Sequence, residues 1–173
     1  VKRDPQLTYK ILRIVNSPVF NLIRKIESLE EAVILLGITE IKRWCALIAF
    51  SGETGKPDEL TRHTLIRARM CELISANDTR LSESSAFMMG TFAGLDALLD
   101  TPKEEILKQV VLSDPLVAAI QFGTGEYGEL LTMVDNYIMG EWDFLPERYT
   151  AELLNQAYIE SINWVEETMQ KIY

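Results

Sequence analysis

The sequence predicts an all-α protein, an irregular globular helical bundle with no significant β-sheet. Three observations predict it. Apolar residues recur at helical spacing along nearly the whole chain, residues suited to helix caps stand at the ends of those runs, and no segment alternates apolar and polar as a half-buried strand does. With 173 residues and 47% hydrophobic composition, there is apolar material for one well-filled core, so residues 1–173 read as a single domain.

Taken in order, Asp4 before Pro5 is an N-cap with proline at the first helical position, followed by Leu7, Ile11, Leu12, Ile14 and Val15 at helical spacing. Asn16-Ser17-Pro18 ends that helix. Ser28-Leu29-Glu30-Glu31 forms a capping box before Ala32 to Leu36, and Gly37 suits the left-handed residue that closes it. Thr39 restarts a helix through Ile41, Trp44, Cys45, Leu47, Ile48 and Phe50. Ser51 to Pro57 is a loop, after which Asp58 caps a long helix reaching about Ala76.

Ser82 caps the next helix. Between Ala86 and Leu99 the only charge is Asp96, so a single helix apolar nearly all round is expected to run through the centre of the domain. Its small residues Ala86, Gly90, Ala93, Gly94 and Ala97 would let neighbours approach closely, which must offset a helical cost of about 1 kcal/mol per glycine. Thr101-Pro102 opens a further capped helix, and Ser113-Asp114-Pro115 opens one ending at Gly123. A helix from about Tyr127 to Met139, an irregular stretch at 140–146 and a last long helix capped by Thr150 complete the chain. No internal repeat, low-complexity tract or heptad run is found.

The chain begins at Val1 and contains neither a signal-peptide pattern nor an apolar run long enough to cross a bilayer, so it reads as a piece of a soluble, cytoplasmic protein. Cys45 and Cys71 lie in apolar helical segments without paired spacing and read as reduced, buried thiols. Charge is segregated: residues 1–80 carry +3 and residues 81–173 carry −12, within a total of −9. That polarity suits an acidic half docking on a basic partner or on a second copy, and equally suits a plain solvated surface. Arg24, Lys25, Lys42, Arg43, Arg62, Arg67 and Arg69 could form a basic patch, yet an overall pI near 4.7 argues against binding driven by nucleic-acid phosphates. No nucleic-acid or membrane partner is expected.

Catalytic chemistry finds little support. A metal hydrolase needs several ligands converging on one point, and this chain has one histidine, His63. Cys71 lies eight residues along the same helix, about 12 Å in rise, too far to share an ion with it. There is no Gly-x-Ser-x-Gly turn and no phosphate-loop spacing, and no cofactor is called for. His63 shares a stripe with Leu60, Ile66, Met70 and Leu73 and reads as a half-buried, hydrogen-bonded ring. Asp96 reads as an acid paired at a helix edge. Trp44, Trp142 and Trp164 read as core or interface anchors.

These segments together resemble the HDOD family, the HD-related output domains, from Asp4 to about Trp164. The resemblance is carried by residues 4–20 (DPQLTYKILRIVNSPVF), by Arg24 to Leu29 followed by Ala32 to Gly37, and by Ile41-Lys42-Arg43-Trp44, Leu65 to Leu73 and Leu95 to Leu99. The last three look particularly like the branch found after an EAL phosphodiesterase domain. The family is related to HD phosphohydrolases, whose metal cage uses a first histidine, an adjacent His-Asp pair and a later aspartate. The resemblance puts the pair at Ala93 and Gly94, neither of which can ligate a metal, and the first histidine near His63.

The resemblance therefore implies an HD-like fold, loss of hydrolysis, no metal, and a partner EAL domain that cleaves cyclic-di-GMP elsewhere in the parent chain. The expected function is a non-catalytic signalling module that works by contact, on the EAL domain, on another regulator or by self-association. Arg24, Lys25, Lys42, Arg43 and Trp44 are the candidate contact residues. Two alternatives stand beside it: a residual HD-type nucleotide hydrolase using His63 and carboxylates, and a small-molecule sensor with an apolar pocket between helix layers.

Overall fold

The structure is a computed structural model that describes residues 58–109, 112–146 and 148–172, together with 26, 28, 30–38 and 41. Expectations for the first helix, the segment after Thr39, the loop at 51–57 and Cys45 lie outside these residues. Every regular element among the described residues is a helix, as the sequence predicts. Contacts divide the chain into two compact units, one made of residues 56–163 and one of residues 1–55 with 164–173. No helix among the described residues is long and apolar enough to cross a membrane.

In the smaller unit a helix, α1, covers residues 30–38. The Glu31 amide donates to Ser28 Oγ at 3.1 Å, which satisfies one of the amides a helix start leaves open. Gly37 adopts φ +83°, the left-handed conformation anticipated for it. Ile26, Ala32, Ile41, Val165 and Met169 are buried in this unit.

The larger unit contains α2 (Asp58–Ser75), α3 (Glu83–Phe92), α4 (Leu95–Leu99), α5 (Lys103–Gln109), α6 (Asp114–Phe122), α7 (Gly125–Met139), a 3-10 turn at Trp142–Phe144, and the start of α8 (Ala151–Ile172). The caps fall where the sequence puts them. Ser82 accepts from the Ser85 amide, Thr150 Oγ1 accepts from the Leu153 amide at 3.2 Å, and Gly123 and Gly140 end α6 and α7 in the left-handed region. Helix α7 begins at Gly125, two residues before the expected start.

Helix α3 is the hub of this unit, touching α2, α4, α6 and α7. Ala86, Phe87, Met89, Gly90, Thr91 and Phe92 are buried, and burying a side chain as large as Phe87 or Met89 contributes about 1.5–3 kcal/mol. The Thr91 hydroxyl is satisfied within the helix, donating to Phe87 O at 2.9 Å. Gly90 lets α2 come so near that an added Cβ would stand 2.6 Å from Ala68 Cα, so the expected close approach is real.

One expectation is corrected. The apolar run from Ala86 to Leu99 is two helices, because α3 stops at Phe92 and α4 starts at Leu95. At the junction Ala93 N donates to Met89 O at 2.9 Å while Gly94 N reaches back only to Thr91 O at 3.2 Å. This tightening of the last turn redirects the chain and brings the Gly94 backbone against α2. Asp100 closes α4 at φ +50°, a conformation aspartate tolerates better than most residues.

Candidate functional site

The junction between α3 and α4 is where the sequence resemblance puts the degenerate pair Ala93 and Gly94. Ala93 is buried at 7% exposure. A Cβ on Gly94 would stand 2.6 Å from Thr64 Oγ1 and 2.9 Å from Arg67 Nη1, so the glycine makes room for a hydroxyl and a guanidinium presented by α2. Thr64 Oγ1 itself donates to Leu60 O at 2.9 Å. Arg67 Nε donates to Asp135 Oδ1 of α7 at 2.5 Å. Three helical segments therefore meet at one internal point, where a fixed cation is paired with a carboxylate.

Cys71, one helical turn beyond Arg67, is unpaired and fully buried. Burial pushes its thiol far above the ordinary thiol range, Asp135 adds to the rise, and Arg67 opposes it. The thiol therefore stays protonated and inert, in keeping with the sequence reading of a structural cysteine.

His63 is placed otherwise than expected. It is exposed, whereas Thr64, Leu65, Ala68, Met70, Cys71, Glu72, Ile74 and Ser75 are the buried residues of α2. Of the stripe drawn through Leu60, His63, Ile66, Met70 and Leu73, Met70 is buried, Leu60, Ile66 and Leu73 are half-buried, and His63 is exposed where a half-buried ring was expected. Thr64, Ala68 and Ser75 are buried beside Leu65, Met70 and Ile74, and their weak hydropathy signals hid how far the buried face extends away from His63. Thr64 and Arg67, not His63, stand opposite Gly94.

Asp96 pairs across a helix edge as anticipated, its Oδ2 lying 3.7 Å from Lys103 Nζ. Trp142 is 65% exposed, so of its two readings, core or interface anchor, the core one is corrected. Arg24, Lys25, Lys42, Arg43 and Trp44 lie outside the described residues. The Arg67–Asp135 pair escaped the sequence reading because 68 positions separate the two residues and no local pattern links them.

Among the described residues, no three His, Cys, Asp or Glu side chains converge in a set able to hold a metal ion. The residues at the α2, α3–α4 and α7 junction fit a divalent cation poorly for a positive reason as well: the Arg67 guanidinium already neutralises Asp135 there.

An all-helical chain with this junction can be set beside known proteins. The sequence matches the HDOD domain over residues 1–99, and the chain belongs to that family. It is 32% identical over 177 residues to the uncharacterised YuxH protein of Bacillus subtilis strain 168, covering 98% of this chain and 43% of that protein. It is 30% identical over 171 residues to the cyclic di-GMP phosphodiesterase CdgJ of Vibrio cholerae, covering 95% of this chain and 40% of that protein. The chain thus spans less than half the length of these relatives. The crystal structure of a proposed phosphohydrolase from Shewanella amazonensis SB2B shares the fold with a TM-score of 0.60, covering 99% of this chain and 84% of that one at 15% identity.

Proposed function

We infer that this chain is a non-catalytic HDOD signalling module which regulates, by protein contact, a cyclic-di-GMP phosphodiesterase domain of the EAL type in a longer cytoplasmic polypeptide. The observation that carries this reading is the Arg67–Asp135 pair beside Gly94. An HD hydrolase needs an electron-poor metal held by imidazoles and carboxylates to activate water. Here the positive charge is a guanidinium, which stays protonated in proteins and has no vacant coordination position to offer water. A well-packed helical unit with that junction suits transmission of a signal by surface contact. Relationship to CdgJ, named as a cyclic di-GMP phosphodiesterase and more than twice the length of the matched segment, supports the choice of partner.

The basic and aromatic residues Arg24, Lys25, Lys42, Arg43 and Trp44 provide the contact surface in this reading, through charge complementarity and a tryptophan anchor. The test compares phosphodiesterase turnover of the longer protein with and without residues 1–173. A change in turnover, reproduced by alanine at Lys42, Arg43 and Trp44 with the melting temperature unaltered, is the expected result. Equal turnover in both forms overturns regulation in cis.

A further inference from the structure

Between the turn that follows α7 and the first turns of α8 lies a groove of about 730 Å³. It belongs wholly to the unit of residues 56–163. Among its lining residues Tyr149 and Leu154 are buried, whereas Trp142, Glu152 and Asn155 are exposed, giving an apolar floor with a more polar rim, as a protein interface has. Gly140 ends α7 at φ +80° and the Glu141 amide reaches back to Asn136 O at 2.8 Å, a closed cap that sets Trp142 just outside the helix. Trp142 Nε1 donates to Tyr137 O at 3.3 Å, and the two rings lie 6.3 Å apart, centroid to centroid. Tyr137 in turn meets Tyr158 edge to face at 5.8 Å. The indole is thus held in one orientation while 65% of it stays exposed, and a large fixed ring left uncovered by the fold suits an interface anchor.

Charge identifies what would cover it. From residue 136 to residue 163 the chain has five carboxylates, Glu141, Asp143, Glu147, Glu152 and Glu160, against one cation, Arg148. Arg148 is already engaged, its Nη2 standing 2.7 Å from Glu129 Oε2. Glu141 and Asp143 flank Trp142 in sequence and Glu152 lines the groove; all three are exposed, and no ion pair among the described residues uses them. A charge-matched partner is therefore cationic. Arginine suits the site because a guanidinium stacks on an indole while facing carboxylates. Nucleic acids and anionic bilayers carry the wrong sign. Glu152, Asn155 and Ile159 follow at spacings of three and four and are exposed, so they share one face of α8 over about 10 Å. A partner helix matches that length with anchors at the same spacing.

We propose that this groove receives a cationic amphipathic helix of a partner protein. Its apolar side chains fill the space over Tyr149 and Leu154, and its arginines lie against Trp142, facing Glu141, Asp143 and Glu152. The surface is opposite in sign to the basic residues assigned to the phosphodiesterase contact and shares none of them, so either reading can fail without the other.

The probe is a fluorescein-labelled synthetic helix of about fourteen residues made only of Leu and Arg, with the leucines on one face. It is titrated with the full 173-residue chain and followed by anisotropy. Saturable binding is expected with a Kd on the order of 10 μM, weakened by about tenfold or more when Gln replaces every Arg or Ser replaces every Leu. Trp142→Ala leaves the net charge unchanged and should weaken the probe about tenfold. Glu141→Lys/Asp143→Lys, which keeps the indole, should weaken it by a similar factor. Glu104→Lys/Glu105→Lys on α5 makes the same change in net charge with residues that do not line the groove, and should act by less than about twofold. Absence of saturable binding, unchanged affinity in Trp142→Ala, or equal effects of the two charge reversals overturns the proposal, the last two because they describe attraction to net charge alone. Dimerisation of the free chain that Trp142→Ala abolishes would assign the groove to a second copy and overturn it as well.

Discussion

Arg67 on α2 and Asp135 on α7 are joined at 2.5 Å, Nε to Oδ1, with side chains only 16% and 31% exposed. Removing one partner leaves the other charge half-buried and unpaired. Arg67→Met should lower stability by about 1–3 kcal/mol, measured by chemical denaturation. The double variant Arg67→Met/Asp135→Leu should recover part of that loss, since both charges are then gone. If the single and double variants were equally stable, the pair would not couple α2 to α7.

Helices α2 and α3 touch at their backbones through Gly90, where a Cβ would meet Ala68 Cα at 2.6 Å. Alanine is the better helix former by about 1 kcal/mol, yet it cannot fit without forcing the helices apart. Gly90→Ala should therefore destabilise by about 1–3 kcal/mol, the range for overpacking a close contact. A rise in melting temperature would show that the helices separate freely.

The Cys71 thiol is buried and held protonated by its surroundings. In a Cys45→Ser background, which leaves Cys71 as the single thiol, Ellman's reagent should react at the rate of global unfolding and promptly in denaturant. Rapid modification of the native protein would place Cys71 in an accessible site.

Asp78 accepts two hydrogen bonds from the Arg80 side chain and one from its backbone amide. The Arg80 guanidinium holds its carboxyl down at about 2. A folded-state value below the unfolded one means stability that is present above the ordinary carboxylate range and disappears as pH falls toward 2. The melting temperature of wild type should exceed that of Asp78→Asn at neutral pH, and the gap should close on acidification between roughly pH 4 and pH 2. A gap independent of pH would assign the effect to packing.

What the sequence revealed was local. Ser28, Ser82 and Thr150 cap helices, and Gly37, Gly123 and Gly140 take left-handed conformations, because each of these choices is made within a few residues of chain. What it hid was tertiary. Between Phe92 and Leu95 the one local cue is Gly94, and a single glycine in an apolar run is often tolerated inside a helix; the close approach of Thr64 and Arg67 from another helix at that glycine is not legible locally. The buried face of α2 was read only in part, because Thr64, Ala68 and Ser75 stand on it beside Leu65, Met70 and Ile74. Likewise, the Arg67–Asp135 pair combines residues from different elements, and an exposed tryptophan at 142 reads in sequence like any core aromatic.

The measurement that bears most directly on a non-catalytic junction is divalent metal content and nucleotide turnover of the purified chain after incubation with manganese. With Arg67 neutralising Asp135 and glycine opposite, the expected result is metal well below one equivalent after gel filtration and no hydrolysis of cyclic or linear nucleotides. One equivalent of retained metal, with turnover that disappears in His63→Ala, would contradict it.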